Sequence, residues 1–122
     1  MSSMELRVNA ERLRADIDAL AQIGRQENHG IYRMAFSAAD MAGREWFRQR
    51  VEDSELAFFQ DGAANLHARL NWDKKVPSVI AGSHMDTVPG AGHLDGALGV
   101  VCALEALRVL KESGVALQRP LE

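Results

Sequence analysis

Ser78-Val79-Ile80-Ala81-Gly82-Ser83-His84-Met85-Asp86-Thr87-Val88 runs into Pro89-Gly90-Ala91-Gly92-His93-Leu94-Asp95-Gly96 and then into a long apolar stretch. Residues 78–81 are short, apolar and unbroken, the pattern of a strand buried in a sheet covered on both faces. From Ala97 onward, Val100, Val101, Leu104, Leu107 and Leu110 recur at helical spacing and form a broad apolar face. Lys111 falls in the last turn of that helix and Gly114 is a natural terminator. Strand, glycine-rich loop, helix is a βα unit, so the fold class is α/β.

The same stretch carries the chemistry. His84 falls at the carboxyl end of the expected strand, the edge where open α/β sheets hold their ligands. Asp86 projects to the same side if the chain stays extended. An imidazole binds zinc or a similar ion through one nitrogen and needs an acceptor to fix the other. Asp86 serves either as that acceptor or as a direct ligand. Asp95 lies at the mouth of the helix, and its two oxygens can bridge a pair of ions. The small residues of the 89–92 loop let it fold back toward His84, and Gly96 lets the helix start close against the site. Asp95 also fits the plainer role of helix N-cap. An isolated H-x-D is commonplace; strand, H-x-D, glycine loop, D-G and apolar helix in this order point to a metal site.

Working outward, residues 9–23 place Leu13, Ile17, Leu20 and Ala21 on one helical face, with Asn9 as N-cap and Gly24 as terminator. Residues 26–30 read as an exposed loop. Ser37-Ala38-Ala39-Asp40 opens a second helix to about Val51, with Trp46, Phe47 and Val51 inward. Residues 56–59 and 65–70 are strand candidates forming a hairpin around Asp61-Gly62. Met34 and Met41 read as core packing, and Cys102, inside the apolar helix, as an inert buried thiol. Arg33 fits either bidentate pairing with a substrate carboxylate or a surface ion pair. Arg44, Arg48 and Arg50 read as a solvated helix face. His29, His67 and His93 read as surface residues.

The 122 residues carry a formal charge of −3, 47% apolar and 25% charged residues. That composition is ordinary for a folded domain, and the acidic balance argues against nucleic-acid or anionic-membrane partners. A single cysteine excludes an internal disulfide framework and fits a reducing compartment. Neither a signal-peptide core nor an apolar run of the ~20 residues needed to span a bilayer is present. The expectation is a soluble, cytoplasmic protein.

Gly82-Ser83-His84-Met85-Asp86-Thr87-Val88-Pro89 with Gly92-His93-Leu94-Asp95-Gly96-Ala97-Leu98-Gly99-Val100 resembles the metal-dependent amidases of the hydantoinase/carbamoylase family. N-carbamoyl-L-amino acid hydrolases, β-ureidopropionases and allantoate amidohydrolases belong to it, within the superfamily of co-catalytic zinc aminopeptidases and deacylases. Residues 32–40 and 61–66 are similar to further segments of that family. The resemblance implies that residues 1–122 are the N-terminal portion of a three-layer, zinc-aminopeptidase-like catalytic domain, helices packed on a mixed sheet, without the family's dimerisation domain. It implies two divalent ions (Zn, Mn, Co or Ni), with His84 ligating the first, Asp95 bridging both and Asp86 orienting His84. The substrate implied is a small N-carbamoyl or ureido amino acid, and the assembly a homodimer or self-associated chain.

Two features depart from the family. Ala91 stands where a glycine is common. No Glu-Glu pair occurs in the sequence, although the family uses one on the next strand as general acid/base and metal ligand. The expectation for this chain alone is weak metal binding and no turnover. Peptide or acyl-amino acid hydrolysis on the same scaffold, or a non-catalytic product, are the competing readings.

Overall fold

The computed structural model describes residues 5–122; the expectation of a leaderless N-terminus falls partly on residues 1–4, outside that range. The elements are α1 (Ala10–Gln22), β1 (Arg25–Gln26), β2 (Gly30–Ile31), α2 (Ala38–Asp53), β3 (Ala57–Gln60), β4 (Leu66–Arg69) and α3 (Ala97–Ser113). Among the described residues no helix is long and apolar enough to cross a membrane.

Local chemistry sets the helix ends. The Asn9 side chain accepts from the Arg12 N–H, and Ser37 accepts from the Asp40 N–H. Asp40 completes the second cap by accepting from the Phe36 N–H at 2.8 Å. These contacts satisfy donors that a helix leaves unpaired in its first turn. Gly114 ends α3 in the left-handed conformation. Residues 26–30, expected as an exposed loop, are a largely exposed turn whose ends, Gln26 and Gly30, also pair in the antiparallel β1–β2 ribbon, with Arg25 opposite Ile31.

The β3–β4 hairpin pairs Ala57 with Arg69 and Gln60 with Leu66. Its turn is held by Asp61 Oδ1, which accepts from the N–H groups of Ala63 and Asn65. Leu70 exchanges both main-chain hydrogen bonds with Leu121 in antiparallel register, and Val79 pairs with Leu121 in parallel. The small mixed sheet therefore runs β3, β4, residues 120–122, residues 79–81. The chain leaves residues 79–81, crosses over through α3 and returns alongside them, as a βαβ unit does.

All three helices contribute to the core beneath this sheet. Phe47 and Val51 of α2, Ala68 and Leu70 of the β4 strand line, and Val100, Leu104 and Leu107 of α3 form one buried cluster. Leu20 of α1 packs with Ala97 and Val101 of α3 in a second. Each fully buried aliphatic side chain here contributes on the order of 1.5–3 kcal/mol.

Burial departs from the sequence expectation at several points. Val79 is 55% and Ile80 68% exposed, because α3 and its core lie to one side and the outer edge of residues 79–81 has no neighbour among the described residues. Cys102 is exposed on the outer face of α3. Met34 and Met41 also face outward. Met41 lies on α2 and Met34 in the connection before it, and no element among the described residues packs over either.

Charge is buried where periodicity alone predicted only apolar contact. Asp16, Glu105 and Arg108 are nearly inaccessible. Asp16 pairs with Arg108 of α3, and with Arg50 of α2 at 3.1 Å. Glu105 accepts from Arg12 Nε at 2.7 Å and from the Asn9 N–H at 2.9 Å. The hydrogen bond that Arg12 donates to Glu105 holds its guanidinium above its ordinary pKa, with burial opposing and Glu112 assisting. Arg50, read from sequence as solvated, is thus a half-buried member of a seam joining the three helices.

Candidate functional site

The site lies where residues 82–88 leave the sheet and α3 begins. His84, Asp86 and Asp95 come together there, with side chains 55%, 45% and 44% exposed. His84 Nδ1 lies 2.8 Å from the main-chain oxygen of Asp86 and 3.5 Å from its carboxylate Oδ1. A carbonyl only accepts, so Nδ1 carries the hydrogen, and in its neutral form the ring presents a lone pair at Nε2. That nitrogen stands 3.8 Å from Asp95 Oδ1. The hydrogen bond that orients the ring thus runs through the backbone of Asp86, a partner that the sequence cannot display.

Asp95 is not an N-cap. The cap position of α3 is Gly96, and no side chain caps the helix. Gly96 has a φ of 67°, and a Cβ on it would overlap the carbonyl oxygen and ring of His84. At Gly99, a Cβ would stand 2.7 Å from the Ser83 Cβ. The two glycines let the start of α3 press against the H-x-D segment, as the D-G motif suggested. The preceding loop is held rather than bendable: Ala91 is buried and exchanges main-chain hydrogen bonds of 2.9 and 3.0 Å with Ile31.

Arg33 has neither role expected of it. It is 1% exposed and has no ion-pair partner among the described residues. Its Nη1 donates to the carbonyls of Leu20 and Ile23 at the end of α1, and its Nε donates to Met85 O at 2.9 Å. Burial pushes the Arg33 pKa down, against the opposing charges of Asp40 and Asp86. Thr87 completes the join: its N–H donates to Arg33 O, and its hydroxyl accepts from the Arg33 N–H. The only signal in the sequence was an arginine between apolar residues.

A cavity of about 280 Å³ opens beside His84 and Asp86, lined also by Phe36, Asp40, Arg44 and Asn65. The other histidines lie elsewhere. His67, expected at the surface, is half-buried between Glu122 and Asp61, at 2.8 and 3.1 Å. His29 and His93 are exposed. Among the described residues no group of three or more His, Cys, Asp or Glu side chains could hold an ion. Two donors on one ion at the usual ~2.0–2.1 Å, tetrahedrally disposed, lie about 3.3 Å apart. The His84–Asp95 gap of 3.8 Å exceeds that by about half an ångström, a difference that a small turn of the exposed Asp95 side chain would close.

Known proteins resemble the chain over nearly its whole length. Residues 65–122 match the model of Peptidase family M28. The chain is 33% identical over 117 residues to N-carbamoyl-L-amino-acid amidohydrolase of Paenarthrobacter aurescens, covering 95% of this chain and 28% of that protein. It is 32% identical over 120 residues to ureidoglycolate hydrolase of Arabidopsis thaliana, covering 96% and 25%. The crystal structure of a hydantoinase/carbamoylase family amidase from Burkholderia ambifaria superposes with a TM-score of 0.89 at 34% identity, over 95% of this chain and 29% of that one. The chain belongs to the hydantoinase/carbamoylase family of amidases. It spans between a quarter and a third of the length of these three relatives. The α/β class read from the sequence holds, and metal dependence is a property suggested for this family rather than one seen in the described residues.

Proposed function

We propose that residues 1–122 form the N-terminal portion of the catalytic domain of a two-metal hydrolase that cleaves the C–N bond of N-carbamoyl or ureido amino acids. The observation that carries the reading is the ring of His84: its Nδ1–H is fixed on the Asp86 carbonyl and its bare Nε2 faces Asp95. His84 and Asp95 would hold a divalent ion, with Asp95 shared by a second. Such an ion supplies Lewis-acid polarisation of a carbonyl and lowers the pKa of water toward neutrality. Within this chain, His84 contributes one neutral donor, Asp95 a carboxylate free of capping duty, and Asp86 the carbonyl that holds the imidazole in its tautomer. The net reaction adds water to the N-carbamoyl group and releases the amino acid, carbon dioxide and ammonia. The proton acceptor implied by the family, a Glu-Glu pair, has no counterpart in these residues, so the chain alone is expected to bind metal weakly and not to turn over.

Elemental analysis and calorimetric titration with Zn²⁺, on the chain and on His84→Ala, test the metal reading. Weak binding lost in the variant supports it; equal, negligible metal in both refutes it for this chain. Reading the coding sequence past Glu122 tests the enzyme reading, which requires a Glu-Glu pair on the following strand.

The match to a peptidase family over residues 65–122 favours a second reading, peptide or acyl-amino acid hydrolysis on the same scaffold. Ammonia release from N-carbamoyl amino acids, against amine release without ammonia from acylated ones, separates the two in an enzyme containing this chain.

A further inference from the structure

We propose that Arg33 is a positioning residue for the metal-binding histidine, acting through the peptide between Met85 and Asp86. The inference rests on the metal reading of His84 given above, but its geometry stands apart from it.

A guanidinium with 1% exposure is costly to bury unless its donors are satisfied. Here three of the five N–H donors, those on Nε and Nη1, go to neutral carbonyls in place of a carboxylate. Two of them, Leu20 O and Ile23 O, belong to the C-terminal end of α1, where a helix leaves carbonyls unpaired and its dipole is negative. The third, Met85 O, belongs to the residue between His84 and Asp86. One rigid, planar side chain therefore ties the end of a packed helix to the middle of the H-x-D segment.

The Met85 carbonyl is one end of the peptide plane that leads into Asp86. Fixing that oxygen on Arg33 Nε limits rotation of the plane, while the Thr87–Arg33 pairing fixes the chain on the far side of Asp86. Between those two points hangs the Asp86 carbonyl, the acceptor of His84 Nδ1. The Asp86 carbonyl belongs to the next peptide, whose Thr87 N–H stays on Arg33 O when only the arginine side chain is replaced. With Met85 O released, the Met85–Asp86 peptide can rotate and carry His84 away from that carbonyl, and the imidazole can place its hydrogen on Nε2, where a metal must bind. Gly43 of α2 completes the clamp: a Cβ there would stand 3.1 Å from Arg33 Cδ, so the glycine gives the arginine its channel.

The test uses the 122-residue chain, with Arg33→Lys and Gly43→Ala as variants. Lysine keeps the charge but offers one compact head group in place of the planar fork. Alanine in a helix removes no donor and favours the helix, yet forces the arginine to shift by a few tenths of an ångström. The primary readout is the ring-nitrogen NMR signature of His84 above the pH of imidazole protonation; the second is Zn²⁺ affinity by calorimetry. In the wild type, a single Nδ1–H tautomer is expected. In Arg33→Lys, a mixture of tautomers is expected with Zn²⁺ affinity reduced about tenfold, and in Gly43→Ala a shift in the same direction with a loss of several-fold.

An unchanged His84 signature in either folded variant, with only the melting temperature lowered, would show that Arg33 merely stabilises the fold and would overturn the proposal. An Nε2–H tautomer in the wild type overturns it as well. A wild-type chain that shows the Nδ1–H tautomer, responds to both variants and binds no Zn²⁺ supports the positioning role while removing the metal reading. The two failures are thus distinguishable.

Discussion

Two charged regions of this molecule use their polar atoms in opposite ways. In the seam between α1, α2 and α3, Asp16 and Arg108 meet each other, and Glu105 takes both Arg12 and the Asn9 N–H, so buried charge is matched by buried charge. At the edge of the sheet, His84 has its ring orientation fixed by the Asp86 main chain, yet among the described residues Nε2 of His84 and the carboxylate of Asp95 find no hydrogen-bond partner, the two standing 3.8 Å apart. The seam is a fastener. The site is a set of donors held in place with coordinating capacity left over, which is what ligand binding requires and stability does not.

The sharpest way to break that contrast is Asp16→Ala. It leaves the buried Arg108 guanidinium with only the more distant Glu105 carboxylate, at 3.8 Å, which should lower unfolding stability by about 3 kcal/mol in urea denaturation. Zn²⁺ affinity of the protein that remains folded should be unchanged; a parallel loss would show that seam and site are one unit. Gly96→Ala comes next. A side chain at φ 67° that overlaps His84 should cost about 1–3 kcal/mol, and unlike the seam variant it should abolish metal binding. Asp95→Asn lies at the far end of the stability scale: an exposed change within about 0.5 kcal/mol in the same denaturation series, with Zn²⁺ uptake reduced to background. A stability loss of several kcal/mol there would make Asp95 part of the fastener.

Acid sharpens the comparison for the hairpin. Hydrogen bonds from His67 and Asn65 hold the Asp61 pKa well below 3.8. Burial pushes Glu122 upward, but hydrogen bonds from Ser78, Arg69 and His67 outweigh it and leave its pKa below 4.5. Both carboxylates are more acidic folded than unfolded, so their stabilisation is complete above the unfolded pKa values and is lost as pH falls through the folded ones. The melting temperature should decline as pH drops below about 4.5, and Asp61→Asn should flatten that decline. A wild-type profile that stays level to pH 3 would rule out these contacts in solution.

How much was legible beforehand varies with the range of the interaction. Asn9, Ser37 and Asp40 announced the helix starts because a cap acts within four residues of itself. The H-x-D and D-G residues could be picked out as a group by their order between strand and helix. Glu105 and Arg108 interrupt the apolar face of α3 in plain view, and that interruption was the available sign of a buried ion pair. Arg33 carried a weaker sign, a lone arginine between apolar residues outside any periodic element, where neither face nor partner can be read from the sequence.

The sequence by itself determined the helices, the hairpin and the βα unit, and singled out the residues proposed to bind a metal, because periodicity, capping and turn chemistry are local. Tertiary structure alone decided which polar atoms are satisfied and by what. It placed Arg33 against the carbonyls of Leu20, Ile23 and Met85, turned the Asp86 main chain rather than its side chain toward His84, and left Val79, Ile80 and Cys102 exposed. Burial and hydrogen-bond partnership depend on what lies across the fold, tens of residues away in the chain, and no local pattern encodes that distance.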